Sequence, residues 1–192
     1  MRVNNLFSKL FTLTTTYCLL STVLAGCGYT TRSMISSKYK TIYVTPFVNK
    51  INITNEADTG SKYKVNRPMV ETDITSIVIR KFHLDGNLRP SNKEKADLIL
   101  KGEVIDFRKD PLRYNDNDEV SEYRMNLVVN LSCWSVGEDK LLWEENGFTG
   151  YTEYYTSAYP LSNVTKKTDD QAITDALDDL GRRVVERFVN EW

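Results

Sequence analysis

Apolar and polar positions repeat with two different periods along this chain, and the periods mark its elements. Over residues 122–136, Tyr123, Met125, Leu127, Val129, Leu131 and Cys133 share one side. Arg124, Asn126, Asn130 and Ser132 share the other, broken by Val128 and Trp134. A period of two over that length predicts a half-buried strand. Residues 137–140 form a short turn signal, so residues 141–155 should return as the hairpin partner. Residues 96–107 predict an earlier strand whose apolar runs, 98–100 and 104–105, suit cover on both faces. Gly102 marks a bulge or a close approach within it. Residues 42–49 are a further β-rich run, with Ile42, Val44 and Pro46 facing one way and Tyr43, Thr45 and Phe47 the other. Pro46 cannot donate to a ladder, which puts the strand at an edge or ends it there.

Two segments change to helical spacing. Val70, Ile74, Ile77, Val78 and Phe82 form a stripe behind Pro68, a favoured opening residue, and Asp85-Gly86-Asn87 stops it. Ile173, Leu177, Leu180, Val184 and Phe188 form a second stripe, which Trp192 continues. Thr168 followed by Gln171 is a capping box at its start. Asp169, Asp170, Asp175, Asp178 and Asp179 load the first half of this helix, and Arg182, Arg183 and Arg187 the second, matching the helix dipole. Residues 28–41, 50–66 and 108–121 are polar and predict a tether and two loops. The order is strand, helix, three strands, helix. The expected fold is α+β: a four-stranded mixed sheet with both helices on one face and its last three strands antiparallel.

The first 26 residues have a different character. Arg2 and Lys9 precede a diluted apolar run over residues 10–24, with no acidic residue. The run is shorter and more polar than the ~20 apolar residues of a membrane span, and it matches a secretory signal. It ends in Leu24-Ala25-Gly26-Cys27, which resembles the bacterial lipobox. There the cysteine carries a thioether-linked diacylglycerol and, after cleavage, an N-acyl chain. The alternative is a plain signal with a chance cysteine. The expected organisation is a lipoprotein signal over 1–26, a lipidated tether over 27–41 and one α+β domain over 42–192. Each buried CH2 contributes ~0.8 kcal/mol, so two or three acyl chains anchor where one does not. Gly28, not Asp, follows the cysteine, which points to the outer membrane with the domain facing the periplasm.

Composition narrows the chemistry. The 192 residues carry 25 Lys+Arg against 26 Asp+Glu, one His and three Cys. That balance offers no basic excess for nucleic acid. With Cys27 acylated and the signal removed, Cys133 has no disulfide partner; in its apolar alternation it is a small buried hydrophobe. His83 is the single imidazole, and its place near a helix C-terminus accounts for it. No nucleotide-binding, hydrolase or zinc motif occurs. Glu144 and Glu145 adjoin in a strand and point to opposite faces. Asp116-Asn117-Asp118 lacks the remainder of a calcium loop. No enzyme, metal or cofactor is expected, apart from the covalent lipid. Charge is uneven, however. Residues 27–69 hold seven basic against two acidic residues, and residues 135–192 six against twelve. The basic segment attracts anionic head groups or is a solvated linker. Tyr151, Tyr154, Tyr155 and Tyr159 form the densest aromatic cluster, either edge-strand packing or a contact surface.

Several of these features together resemble the LptE family of lipopolysaccharide-assembly lipoproteins. They are Cys27-Gly28-Tyr29 after the lipobox, Ile42-Tyr43-Val44-Thr45-Pro46-Phe47 with Asn49, the strand that opens Ala96-Asp97-Leu98 and runs to Phe107, and Trp143-Glu144. The resemblance spans most of the mature chain in element order. It implies a non-enzymatic plug inside the outer-membrane β-barrel LptD that helps assemble that barrel and binds lipopolysaccharide on its way to the outer leaflet. Basic side chains would meet the ligand's phosphates by charge-assisted hydrogen bonds. The candidates it implies are Arg108, Lys109 and Arg113, in the loop expected between the second and third strands. Asp110, Asp116, Asp118 and Glu119 share that loop and oppose an anion. The competing readings are an accessory or pilot lipoprotein of another envelope complex, and an envelope hydrolase that depends on His83.

Overall fold

A computed structural model describes residues 38–51 and 64–190; Cys27 and Trp192 lie outside them. In chain order the elements are β1 (Thr41–Val44), β2 (Val48–Asn49), α1 (Val70–Asp85), β3 (Arg89–Pro90), a 3-10 turn (Lys93–Lys95), β4 (Leu98–Tyr114), β5 (Val120–Ser135), β6 (Lys140–Tyr155) and α2 (Asp169–Asn190). The strands make one mixed sheet in the order β3-β1-β4-β5-β6, with β2 also pairing β4. The first three strands run parallel to their neighbours, whereas β4, β5 and β6 are antiparallel, as expected.

The expected four strands are therefore six. The run 42–49 is split, and β3 is new; both β2 and β3 have two residues, too few to show a period. The split has a cause in register. Val44 pairs with Leu100 and Val48 with Glu103, so the first stretch spends one residue more than β4. Pro46 sits in that extra step and is exposed, and the alternation flips behind it, so Phe47 is buried at 3% exposure. Phe47 lies over Gly102, where a Cβ would fall 2.1 Å from its ring. Gly102 is thus the site of a close approach.

The expected loop 108–121 is a second correction. β4 and β5 stay paired to Tyr114 and Val120, and the turn is confined to residues 115–119. Antiparallel backbone pairing overrides a polar sequence here, with register shifts near Ile105 and between Pro111 and Tyr114. Pro111 is tolerated because, among the described residues, this stretch of β4 has β5 as its one strand neighbour. Cover on both faces of β4 is not observed either: Leu98, Leu100, Val104 and Phe107 are buried, while Ile99 is half-buried and Lys101 exposed.

Both helices pack on that buried face. α1 presents Val70, Ile74, Val78 and Phe82, and closes at Gly86, whose φ of 76° is the left-handed conformation glycine adopts freely. Pro68 lies two residues before the helix, beyond Met69. The capping box of α2 forms: the Thr168 N–H donates to Gln171 Oε1 (2.9 Å) and the Gln171 N–H to Thr168 Oγ1 (3.3 Å). Phe188 joins the layers, edge-on to Phe82 (5.2 Å between centroids) and to Trp143 (5.1 Å). α2 also lies directly on the β6 backbone. A Cβ on Gly150 would come within 2.5–2.7 Å of Leu180, including its backbone.

Candidate functional site

Two regions hold the candidate binding side chains. The first is the outer end of the long strands, where the sequence-derived candidates fall. Because β4 continues through residues 108–113, successive side chains there point to opposite faces. Lys109 points to the helix face. Its ammonium is 2.6 Å from Asp169 Oδ2 and 5.0 Å from the centre of the Tyr123 ring. Asp169 also accepts the Tyr154 hydroxyl at 2.6 Å, so the first residue of α2 is tied to β4 and β6. Burial works against ionisation of Asp169, but the bonds from Lys109 and Tyr154 prevail and hold its carboxyl below the ordinary value. Burial, and then that carboxylate, push the Tyr154 hydroxyl up.

Arg108 points the other way. It pairs with Asp106 and, at 3.1 Å, with Asp110, which also accepts Asn126 Nδ2 at 2.6 Å. Arg113 is near the turn, with Nε 3.3 Å from Glu122 and Nη1 donating to the Tyr159 hydroxyl at 3.4 Å. Its side chain is 58% exposed, the most open of the three. The three candidates thus share one end of one strand, but not one face, and each already has a carboxylate partner.

The tyrosine cluster lies beside them and is mostly packing. Tyr154 and Tyr159 are buried, and Tyr155 and Tyr159 are 4.2 Å apart between centroids. Tyr151 is the exposed member, held between Arg183 (4.6 Å) and Arg124 (5.5 Å).

The second region is the sheet face that the helices leave open, at the opposite end of the strands. Register lines up Tyr43, Ile99, Trp134 and Leu141 across β1, β4, β5 and β6 as one half-buried apolar row. Next to it is a groove of about 220 Å3 floored by Trp134 and Leu141. Lys101 lies over the Trp134 ring at 4.9 Å. Glu103, Asn130, Ser132, Glu144 and Asn146 complete the polar wall. Glu145, on the other face, pairs with Arg187 of α2 at 2.6 Å, so the two adjacent glutamates do diverge. The groove is not legible in the sequence. Its one trace was Trp134 interrupting a polar row.

Neither remaining reactive candidate joins a site. Cys133 is fully buried in the core, and burial pushes its thiol up to about 12, which makes it inert. His83 is exposed at the end of α1. Among the described residues no group of three or more His, Cys, Asp or Glu side chains is placed to hold a metal ion.

The fold and its surfaces define a class: a small α+β domain whose two helices cover one sheet face and leave the other uncovered. Residues 39–188 match the family model for LptE, lipopolysaccharide-assembly, and the chain belongs to that family. None of the curated protein sequences matches it. It is similar to a minor lipoprotein from Acinetobacter baumannii at 16% identity, covering 80% of this chain and 92% of that one, with a TM-score of 0.46. The rare lipoprotein B from Shewanella oneidensis gives 11%, 78%, 95% and 0.43 in the same order. A protein from Xanthomonas campestris gives 14%, 80%, 83% and 0.48.

Proposed function

We propose that this protein is an outer-membrane lipoprotein that plugs the lipopolysaccharide-export β-barrel LptD, assists its assembly, and binds lipopolysaccharide during insertion into the outer leaflet. The match of residues 39–188 to the lipopolysaccharide-assembly family carries the reading. Leu24-Ala25-Gly26-Cys27 supports anchoring through diacylglycerol and N-acyl chains on Cys27, with the domain on the periplasmic side. No helix among the described residues is long and apolar enough to cross a membrane. A plug needs surfaces for the barrel wall, and the exposed Tyr151 offers one away from the groove beside Trp134. The role is binding and assembly, with no chemical turnover.

For the ligand, the basic side chains of β4 are the phosphate donors. Arg113 exchanges its partner most readily. Its contact with Glu122 is 3.3 Å and its side chain is open, whereas Lys109 is held at 2.6 Å and Arg108 serves two carboxylates. A phosphate oxygen gives a guanidinium a stronger, bidentate partner than that long contact.

Depletion of the protein in its own cell tests the reading. Folded LptD and surface lipopolysaccharide should both fall. Normal levels of both after depletion would contradict it.

A further inference from the structure

Most charged side chains of this domain are satisfied within it. Lys50 holds Glu103 at 2.6 Å, Arg124 holds Glu153 at 2.5 Å, and Arg187 holds Glu145 at 2.6 Å. The groove beside Trp134 departs from this habit, although Glu103 on its wall is the carboxylate that Lys50 holds. Among the described residues Lys101 reaches the Trp134 ring but no carboxylate, and Glu144 meets no cation. Asn130 accepts the Gly147 N–H through Oδ1 at 3.0 Å, and its NH2 group has no partner among the described residues. The Ser132 hydroxyl and the Asn146 amide are likewise unpaired among the described residues, and both line the groove.

We infer that this groove is a binding site for a neutral sugar ring. The set is mixed: Lys101 and Asn130 supply donors, Glu144 an acceptor, and Ser132 and Asn146 both. A ring of hydroxyls, each donor and acceptor at once, satisfies such a set. A phosphate does not, because Glu103 and Glu144 would face it. An acyl chain would strip water from six polar side chains and pair none of them. An extended peptide gains affinity from backbone bonds to a strand edge, and this groove lies on the face of the sheet. The Trp134 and Leu141 side chains provide the apolar wall against which the C–H side of a sugar packs. At about 220 Å3 the groove is smaller than the ~300–1,000 Å3 typical of drug-sized ligands, which fits one ring of a longer glycan. The wall is firmly placed, since Trp134 and Ser132 come from β5 between two paired neighbours. The inference goes beyond the plug reading: the groove is set by β4, β5 and β6 whether or not a barrel surrounds them.

The test is titration of the lipidated full-length protein, in a detergent without a sugar head group, followed by the Trp134 indole N–H signal in NMR. Three probes distinguish the source: an N-acetylglucosamine oligomer, a core oligosaccharide freed of lipid A, and free hexoses. Inorganic phosphate is the control. At least one saccharide should give a saturable shift at Trp134. Glu144→Gln with Asn146→Ala, both at exposed positions, should weaken it about tenfold, as expected for losing a hydrogen bond to a charged group. Response to the glucosamine oligomer assigns a wall glycan, and response to the core oligosaccharide assigns the export ligand. No shift with any saccharide, a shift with phosphate alone, or affinity unchanged in the double variant would overturn the site. Co-purification of LptD with that variant should be unaltered, which keeps failure of the sugar site apart from failure of the plug reading.

Discussion

The two ends of the long strands are built in opposite ways. At the outer end, cations are consumed by structure: Lys109 anchors α2 through Asp169, Arg108 bridges Asp106 and Asp110, and Arg113 leans on Glu122 and Tyr159. At the groove end the framework is apolar, with Trp143, Phe82 and Phe188 locked together on the helix face, and on the opposite face Ser132, Glu144 and Asn146 have no polar partner among the described residues. The reason is where the helices reach. Phe82 and Phe188, near the C-terminal ends of their helices, meet on the sheet close to Trp143. The outer end has the first turn of α2 as its helical cover and holds it with polar ties. Where apolar packing holds the fold, polar side chains are free to meet a ligand. Where ion pairs hold it, a ligand must compete with them.

This contrast is sharpest in the effect of core truncation. Phe188→Ala removes a ring fully buried between Phe82 and Trp143 and should cost ~3–5 kcal/mol by denaturant unfolding. A cost below ~1 kcal/mol would mean the groove end is not framed by this packing. Gly150→Ala comes next. Its Cβ would meet the backbone of Leu180, so α2 must lift from β6, at ~1–3 kcal/mol. Melting unchanged in that variant would show that the helix has room. At the outer end, Thr168→Ala removes the cap of α2 and should cost ~1 kcal/mol.

Acid should weaken the outer end through the same helix start. The Asp169 carboxyl is held below its ordinary value of 3.8. A depressed pKa contributes stability that is present above the unfolded value and is lost as pH falls through the folded one. Stability should therefore decline below about pH 4, and Asp169→Asn should flatten part of that decline. Asp97 and Asp179 are depressed too, so part of the slope remains. A variant with the full wild-type acid slope would remove Asp169 from this role. Arg113→Ala takes the cation from Glu122, whose side chain is only 11% exposed, and should cost about 1 kcal/mol, the low end for a buried group losing its partner because the Arg113 side faces water. The same variant should bind lipopolysaccharide several-fold more weakly in a direct binding assay. Unaltered binding would move the phosphate site elsewhere.

What the sequence revealed depended on whether a signal was local. α2 was legible because its cap, stripe and charge order lie within one continuous segment. Residues 122–136 were legible because a period of two needs nothing but neighbours. Gly102 announced a close approach, but its partner Phe47 was assigned to the wrong face, because one extra residue at Pro46 reverses the alternation. Residues 108–114 read as loop because polarity hides a strand whose pairing comes from the backbone. The groove was invisible for a related reason. Lys101, Ser132 and Glu144 lie on three strands, and only the register sets them beside one another. Cys27 stood out because a lipobox is a contiguous motif.

The most direct measurement is isolation of the tagged, lipidated protein from outer membranes with mass spectrometry of its companions. The account predicts a large β-barrel with a periplasmic domain, recovered in stoichiometric amount. Recovery of the protein alone, or with a different envelope complex, would contradict it.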